Sequence, residues 1–137
     1  MRHPSVAHDF DALVSALNER IAKKAVRKTH APDRDSLVLY VYTKTAVFDQ
    51  LWDPVVELAR GLVLDHHEKR VAAMPFPKFF NYGERTVVLP DEPFEAHEKL
   101  DGSLGIVFFD IVADRWRVAT KGSFVAEQSA WAEQWLA

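Results

Sequence analysis

Seven short runs of β-branched and aromatic residues, each bounded by Gly, Pro, Asp or Asn, most constrain what this chain can fold into. They occupy residues 37–43, 59–65, 71–74, 86–89, 94–99, 104–112 and 116–120. Segments this short, rich in residues that fit a pleated surface and separated by turn formers, read as strands. His66-His67-Glu68-Lys69 and Ala113-Asp114-Arg115 read as hairpin connections, so the strands they join run antiparallel.

Helical periodicity flanks this sheet. Phe10, Leu13, Val14, Leu17 and Ile21 recur at helical spacing and form one apolar stripe. Asp9 is the expected N-cap, and His30-Ala31-Pro32-Asp33 marks the expected exit. Lys23, Lys24, Arg27 and Lys28 then read as a solvated helix end whose cations suit the dipole. A second helical stretch follows Ser123, where Trp131 and Trp135 lie four residues apart and read as core packing. Helix, antiparallel strands and helix in that order define an α+β class.

Composition bounds the function. A net charge of −3 argues against a broadly basic protein that coats nucleic acid, while leaving room for a local cationic pocket. The absence of cysteine removes disulfides, thiolate metal sites and cysteine nucleophiles. Neither a membrane-length apolar run nor a signal core follows Met1-Arg2-His3-Pro4, and a cytoplasmic location is expected. His66-His67 reads as a solvated turn, since no third residue stands at metal-ligand spacing. No metal-binding residue is assigned.

The chemistry concentrates in Glu98-Lys99-Leu100-Asp101-Gly102-Ser103-Leu104-Gly105. Between two strand-like runs, Lys99 is expected at a strand end or turn, facing a cleft. Gly102 permits positive φ and close approach of a ligand to the backbone. A nucleophilic lysine must shed its proton, which desolvation or neighbouring cations promote. Taken alone, Lys-x-Asp-Gly arises by chance in ~3% of chains this long and equally describes a plain Asp-Gly turn.

Three further blocks change that balance. Glu57-Leu58-Ala59-Arg60-Gly61-Leu62-Val63-Leu64 and Phe76-Pro77-Lys78-Phe79-Phe80-Asn81-Tyr82-Gly83-Glu84 lie upstream, and Ala119-Thr120-Lys121-Gly122-Ser123-Phe124 lies downstream. In this order and spacing the four blocks resemble the RNA ligase 1-like family, the phage type that repairs broken tRNA, within the covalent nucleotidyltransferases. Ser103-Leu104 after the lysine motif resembles these RNA ligases more than DNA ligases or capping enzymes, which usually carry arginine at the position of Leu104.

The resemblance implies the antiparallel-sheet portion of a nucleotidyltransferase domain with flanking helices, and a three-step ATP-dependent reaction. Lys99 is the implied nucleophile, taking AMP from ATP and passing it to an RNA 5′-phosphate before a 3′-hydroxyl seals the strand. Arg60, Lys78 and Lys121 match positions that line the nucleotide and its phosphates. Three such cations would both hold a triphosphate and favour the neutral amine of Lys99. Phe79 and Phe80 divide between core and adenine pocket, Glu98 falls near the adenine edge, and Asp101 and Gly102 complete the motif. ATP and Mg²⁺ are the implied cofactors, and RNA, including tRNA with broken strands, is the implied partner.

The family's later acidic motif and paired lysines are missing from residues 1–137, so the chain is expected to be the amino-terminal part of an adenylyltransferase domain. A C-terminal half or a second chain would complete it. The alternative is a non-catalytic or split-subunit remnant that still holds nucleotide or RNA.

Overall fold

The computed structural model describes residues 9–85 and 88–136. Helix α1 spans Phe10–Ala22, and the Asp9 carboxylate accepts a hydrogen bond from the Asp11 amide at 3.0 Å. Leu13 and Leu17 from its apolar stripe are buried, with Phe10, Val14 and Ile21 packed beside them. The helix ends well before the expected exit. Lys24 adopts a left-handed φ of 61° and the Ala25 amide donates back to the Arg20 carbonyl, so the chain reverses. Strand β1, Val26–Ala31, follows at once, and Pro32-Asp33 is the turn into β2, Arg34–Tyr42. Pairing along β1 and β2 overrides the helical reading of this stretch. Arg27 and Lys28 are therefore exposed strand residues, not a helix end.

Two one-turn helices, α2 at Lys44–Phe48 and α3 at Pro54–Leu58, connect β2 to β3, Arg60–Asp65. Each begins at a side-chain cap. Thr43 accepts from the Ala46 amide, and Asp53 accepts from the amides of Val55 and Val56. Strand β4, Arg70–Ala73, completes an antiparallel sheet in the order β1-β2-β3-β4. A separate antiparallel hairpin pairs β5, Ile106–Asp110, with β6, Arg115–Ala119, and α4, Glu127–Glu133, follows it.

These elements stack in three layers. Val38, Tyr40, Leu62 and Leu64 face the helices, while Leu37, Leu39, Val41 and Val63 face the β5–β6 hairpin through Ile106 and Phe108. Strands β2 and β3 are buried on both faces, which explains their nearly unbroken apolar sequence.

The strands expected at 86–89 and 94–99 differ from the structure. Thr86 and Val87 lie outside the described residues, and Val88, Leu89 and residues 94–99 are irregular. Phe94 is 88% exposed, so the β-forming composition there has no sheet to bury itself against.

The two hairpins share one design. Asp65 and Asp110 each close a strand, accept from the amides two and three residues on, and pair in register with Arg70 and Arg115. Lys69 and Asp114, each at φ 50°, occupy the same left-handed turn position. Arg34 joins the hairpins, donating to Asp65 at 3.0 Å and to Asp110 at 2.8 Å, with both carboxylates fully buried. Arg117 extends the network to Asp33. Hydrogen bonding from Arg117 holds the Asp33 carboxyl at about 2. Burial alone would raise Asp110, but the Ala113 amide and the guanidiniums of Arg117 and Arg34 outweigh it and leave it lowered.

Candidate functional site

The site begins with a kink in β3. Val41 pairs with Arg60 and Tyr40 with Leu62, which leaves Gly61 as the extra residue of a β-bulge at φ 91°. A Cβ there would collide with Ile106 Cδ1 and crowd the Lys121 backbone at 3.3 Å. Glycine is thus required twice, for its dihedral and for the close approach of the Lys121 loop. On the other side of that loop, Arg27 donates to the Gly122 carbonyl at 3.4 Å. The bulge and this contact set Arg60 and Lys121 beside each other at one end of the sheet.

The segment after β4 runs back across the same end. The Lys78 amide donates to the Glu57 carbonyl at 2.7 Å, and Arg60 donates to the Phe76 carbonyl at 3.2 Å. This places Phe80 edge-on to Trp52, ring centroids 5.4 Å apart, and Trp52 edge-on to Tyr42 at 5.1 Å. Cations lie over this row of rings. Lys121 Nζ is 5.1 Å from the Tyr42 centroid, Lys78 Nζ 4.4 Å from Phe80, and Arg85 4.6 Å from Phe80. Arg60 lies 5.5 Å from Phe79. Such contacts are worth about 0.5–1 kcal/mol each at exposed positions, enough to orient a side chain without neutralising it.

Charge balance separates these cations. Arg85 is paired with Glu57 at 3.1 Å, and Arg20 with Asp53. Among the described residues Arg60, Lys78 and Lys121 pair with no carboxylate; Lys78 Nζ donates instead to the Phe79 carbonyl at 2.7 Å. Three cations held by rings and carbonyls retain their full attraction for a polyanion.

Of the residues singled out in the sequence, Arg60, Lys78, Phe79, Phe80 and Lys121 thus meet at one end of the sheet. Phe80 is the half-buried member of its pair, while Phe79 is 59% exposed. Glu98, Lys99, Asp101 and Gly102 stand apart on an irregular, exposed stretch, with Gly102 at φ 153°. The expected placement of Lys99 at a strand end is not observed, because the run before it forms no strand. Trp52 and Tyr42, which hold the cations, escaped the sequence reading. They sit outside the four blocks, and only the turn formers around Trp52 hint at a loop.

Two aromatic and histidine readings are corrected. Trp131 and Trp135 are 61% and 75% exposed, with centroids 5.8 Å apart, so they are surface residues and not core. Helix α4 ends at Glu133, before Trp135. His66 packs edge-on to Phe10 and shares a 2.9 Å hydrogen bond with the buried Tyr40 hydroxyl, and burial lowers its pKa, whereas His67 is solvated as expected. Among the described residues no group of three or more His, Asp or Glu could hold a metal ion, and no helix is long and apolar enough to cross a membrane.

A family model described as RNA ligase matches residues 58–137, a stretch that contains Arg60, Lys78, Phe79, Phe80, Lys99 and Lys121 but not Tyr42 or Trp52. The chain belongs to the RNA ligase family. No curated protein and no solved structure matches it.

Proposed function

We propose that this RNA ligase is an ATP-dependent adenylyltransferase in which Lys99 is the nucleophile and Arg60, Lys78 and Lys121 hold the triphosphate. The observation that carries the reading is the set of three unneutralised cations, Lys78 and Lys121 over the Tyr42–Trp52–Phe80 row and Arg60 over Phe79. After the Lys99 ammonium loses a proton to solvent, its nitrogen lone pair attacks the α-phosphorus. A P–N bond forms, the P–O bond to pyrophosphate breaks, and pyrophosphate leaves with the electron pair. An RNA 5′-phosphate oxygen then displaces the lysine nitrogen. Finally a 3′-hydroxyl attacks the 5′-phosphorus, giving the phosphodiester and releasing AMP.

In this reaction fixed cations contribute by neutralising charge that builds on non-bridging and leaving oxygens. Lys99 itself is exposed and distant in sequence from the cations, so the triphosphate bridges the two. Phosphates held by Arg60, Lys78 and Lys121 draw the 88–105 stretch inward, with Asp101 and Glu98 orienting substrate groups. The described residues form no three-ligand metal cage. Mg²⁺, as the family implies, would neutralise phosphate charge when bound.

We further propose that residues 1–137 are the amino-terminal part of the domain, completed by a further segment or second chain. Val107, Phe109, Ile111 and Trp116 support this, since they leave the outer face of the hairpin apolar and exposed. The rival reading, a binding remnant without catalysis, is favoured by the exposure of Lys99.

Intact-protein mass spectrometry after incubation with ATP and Mg²⁺ separates the two. The proposal expects an acid-labile gain of one AMP that is absent from Lys99→Ala. A folded sample that binds ATP without gaining mass contradicts autonomous adenylylation and leaves the binding remnant.

A further inference from the structure

Charge is sorted between the two ends of the four-stranded sheet. At the end that holds the Pro32-Asp33 turn and the twin hairpin turns, Arg34, Arg115 and Arg117 pair with Asp33, Asp65 and Asp110. At the other end β1 and β3 begin and β2 finishes. Residues 21–29 and 40–48, which meet there, contain five Lys or Arg and no Asp or Glu. Lys24, Arg27 and Lys44 are exposed and, among the described residues, pair with no carboxylate. In a chain of net charge −3, bare cations gathered at one end make a local positive field that attracts a polyanion.

The backbone spaces these cations. Val41 pairs with Arg27 on one side and Arg60 on the other, so the two arginines stand about 10 Å apart, two strand spacings. Arg27 also reaches the Gly122 carbonyl, which joins it to the Lys121 loop. Beyond the Val26–Tyr42 pair, the Thr43 amide donates to the Ala25 carbonyl at 2.9 Å and the Thr43 hydroxyl donates to the Lys24 carbonyl. Lys24 and Lys44 are thereby held at adjoining positions, where like charges cost stability unless an anion lies between them. On α2, Lys44 and Phe48 are four residues apart and share a face, and Phe48 is 80% exposed.

We infer that this end of the sheet carries a single strand of RNA, its phosphates on Arg27, Lys24 and Lys44 and one base stacked on Phe48. Under the proposed function a triphosphate already occupies Arg60, Lys78 and Lys121. Further cations at strand spacing, ending on an open ring, suit a polymer that presents phosphates and π-faces in turn. All four residues precede the stretch 58–137, so the track is built by the part of the chain that the family model does not match. The inference rests on the RNA ligase reading only for the choice of RNA over another polyanion.

Two probes are compared on the full chain: a 5′-phosphorylated dodecaadenylate RNA carrying a 3′-fluorescein, by anisotropy, and an ATP analogue with a methylene between the α- and β-phosphates, by calorimetry. Lys24→Glu/Lys44→Glu is expected to weaken the RNA about tenfold or more. Lys24→Gln/Lys44→Gln should reduce the slope of log affinity against log salt by about 1.4, the loss of two phosphate contacts on a single strand. Phe48→Ala should weaken the RNA about fivefold or more. Since these side chains are exposed, affinity for the analogue is expected to be unchanged, which separates loss of the track from misfolding. Wild-type RNA affinity in the charge-reversed and Phe48→Ala variants overturns the inference, as does a wild-type chain that does not bind the RNA. Equal losses for RNA and for analogue overturn it too, because the residues then serve the triphosphate. Charge reversal that weakens fluorescein-labelled polyglutamate as much as RNA, with Phe48→Ala silent, overturns it in favour of an acidic protein partner. RNA binding lost in these variants from a chain that gains no AMP contradicts the Lys99 reading and leaves this one standing.

Discussion

Arg60, Lys78 and Lys121 are fixed by the sheet, whereas Lys99 is not, although all four belong to sequence blocks of comparable clarity. Folding positions the first three as a by-product. A β-bulge, a backbone hydrogen bond and a row of aromatic rings are stable without substrate. The 88–105 stretch has no equivalent. Its apolar residues from Val88 to Leu100, Phe94 at 88% and Leu100 at 78% exposure among them, lack a surface to bury against. Under the proposed function, the phosphate site would be assembled by folding and the nucleophile by substrate, and so from different sources of free energy.

Substitutions in the two regions should separate stability from chemistry. The largest effect belongs to Lys99→Ala, which is expected to abolish the AMP adduct while leaving thermal unfolding unchanged, since the side chain is exposed. Loss of the melting transition in that variant would break the distinction. Next comes Asp110→Ala, which strands Arg34 and Arg117 without their shared carboxylate and should cost about 3–5 kcal/mol in chemical denaturation. Asp101→Ala, on the exposed stretch, should stay within about 0.5 kcal/mol of wild type. Gly61→Ala combines a strained dihedral with a steric clash and should cost about 1–3 kcal/mol while displacing Lys121.

Acid should act on the buried network in the same direction. The folded values of Asp33, about 2, and of Asp110 lie below the usual unfolded value of about 3.9. Between these values the unfolded chain binds more protons than the folded one. The contribution is therefore fully present above the unfolded value and is lost as pH falls through the folded one. Unfolding followed by circular dichroism should show falling stability from about pH 4 toward pH 2, with a shallower slope in Asp33→Asn. An equal slope in that variant would remove Asp33 from the account. A modest effect is expected for Lys78→Met, a few-fold loss of affinity for an ATP analogue by calorimetry, because Arg60 and Lys121 remain.

The sequence made the sheet legible where one signal dominated. Strands β2 and β3 announce themselves through apolar runs buried on both faces, and α1 through its stripe. It misled where local composition and tertiary pairing disagreed. The helix exit was expected at Pro32, yet Lys24 reverses the chain early because 26–31 is needed as an edge strand. The 94–99 run has β-forming residues but no neighbour to pair with. The cations of the candidate site were legible from their blocks, while Tyr42 and Trp52 were not, since ring-to-cation contacts between separated segments leave no spacing to read. The twin Asp-to-Arg turns escaped for a similar reason. Only two residues recur in each, too few to stand out as a repeat.

Hydrogen exchange across residues 88–105, with and without the methylene ATP analogue, tests most directly whether substrate assembles the nucleophile onto the cation cluster. The account predicts slowed exchange in that stretch when the analogue binds, and loss of the slowing in an Arg60→Ala/Lys78→Ala double variant. Unchanged exchange in 88–105 at saturating analogue would contradict it.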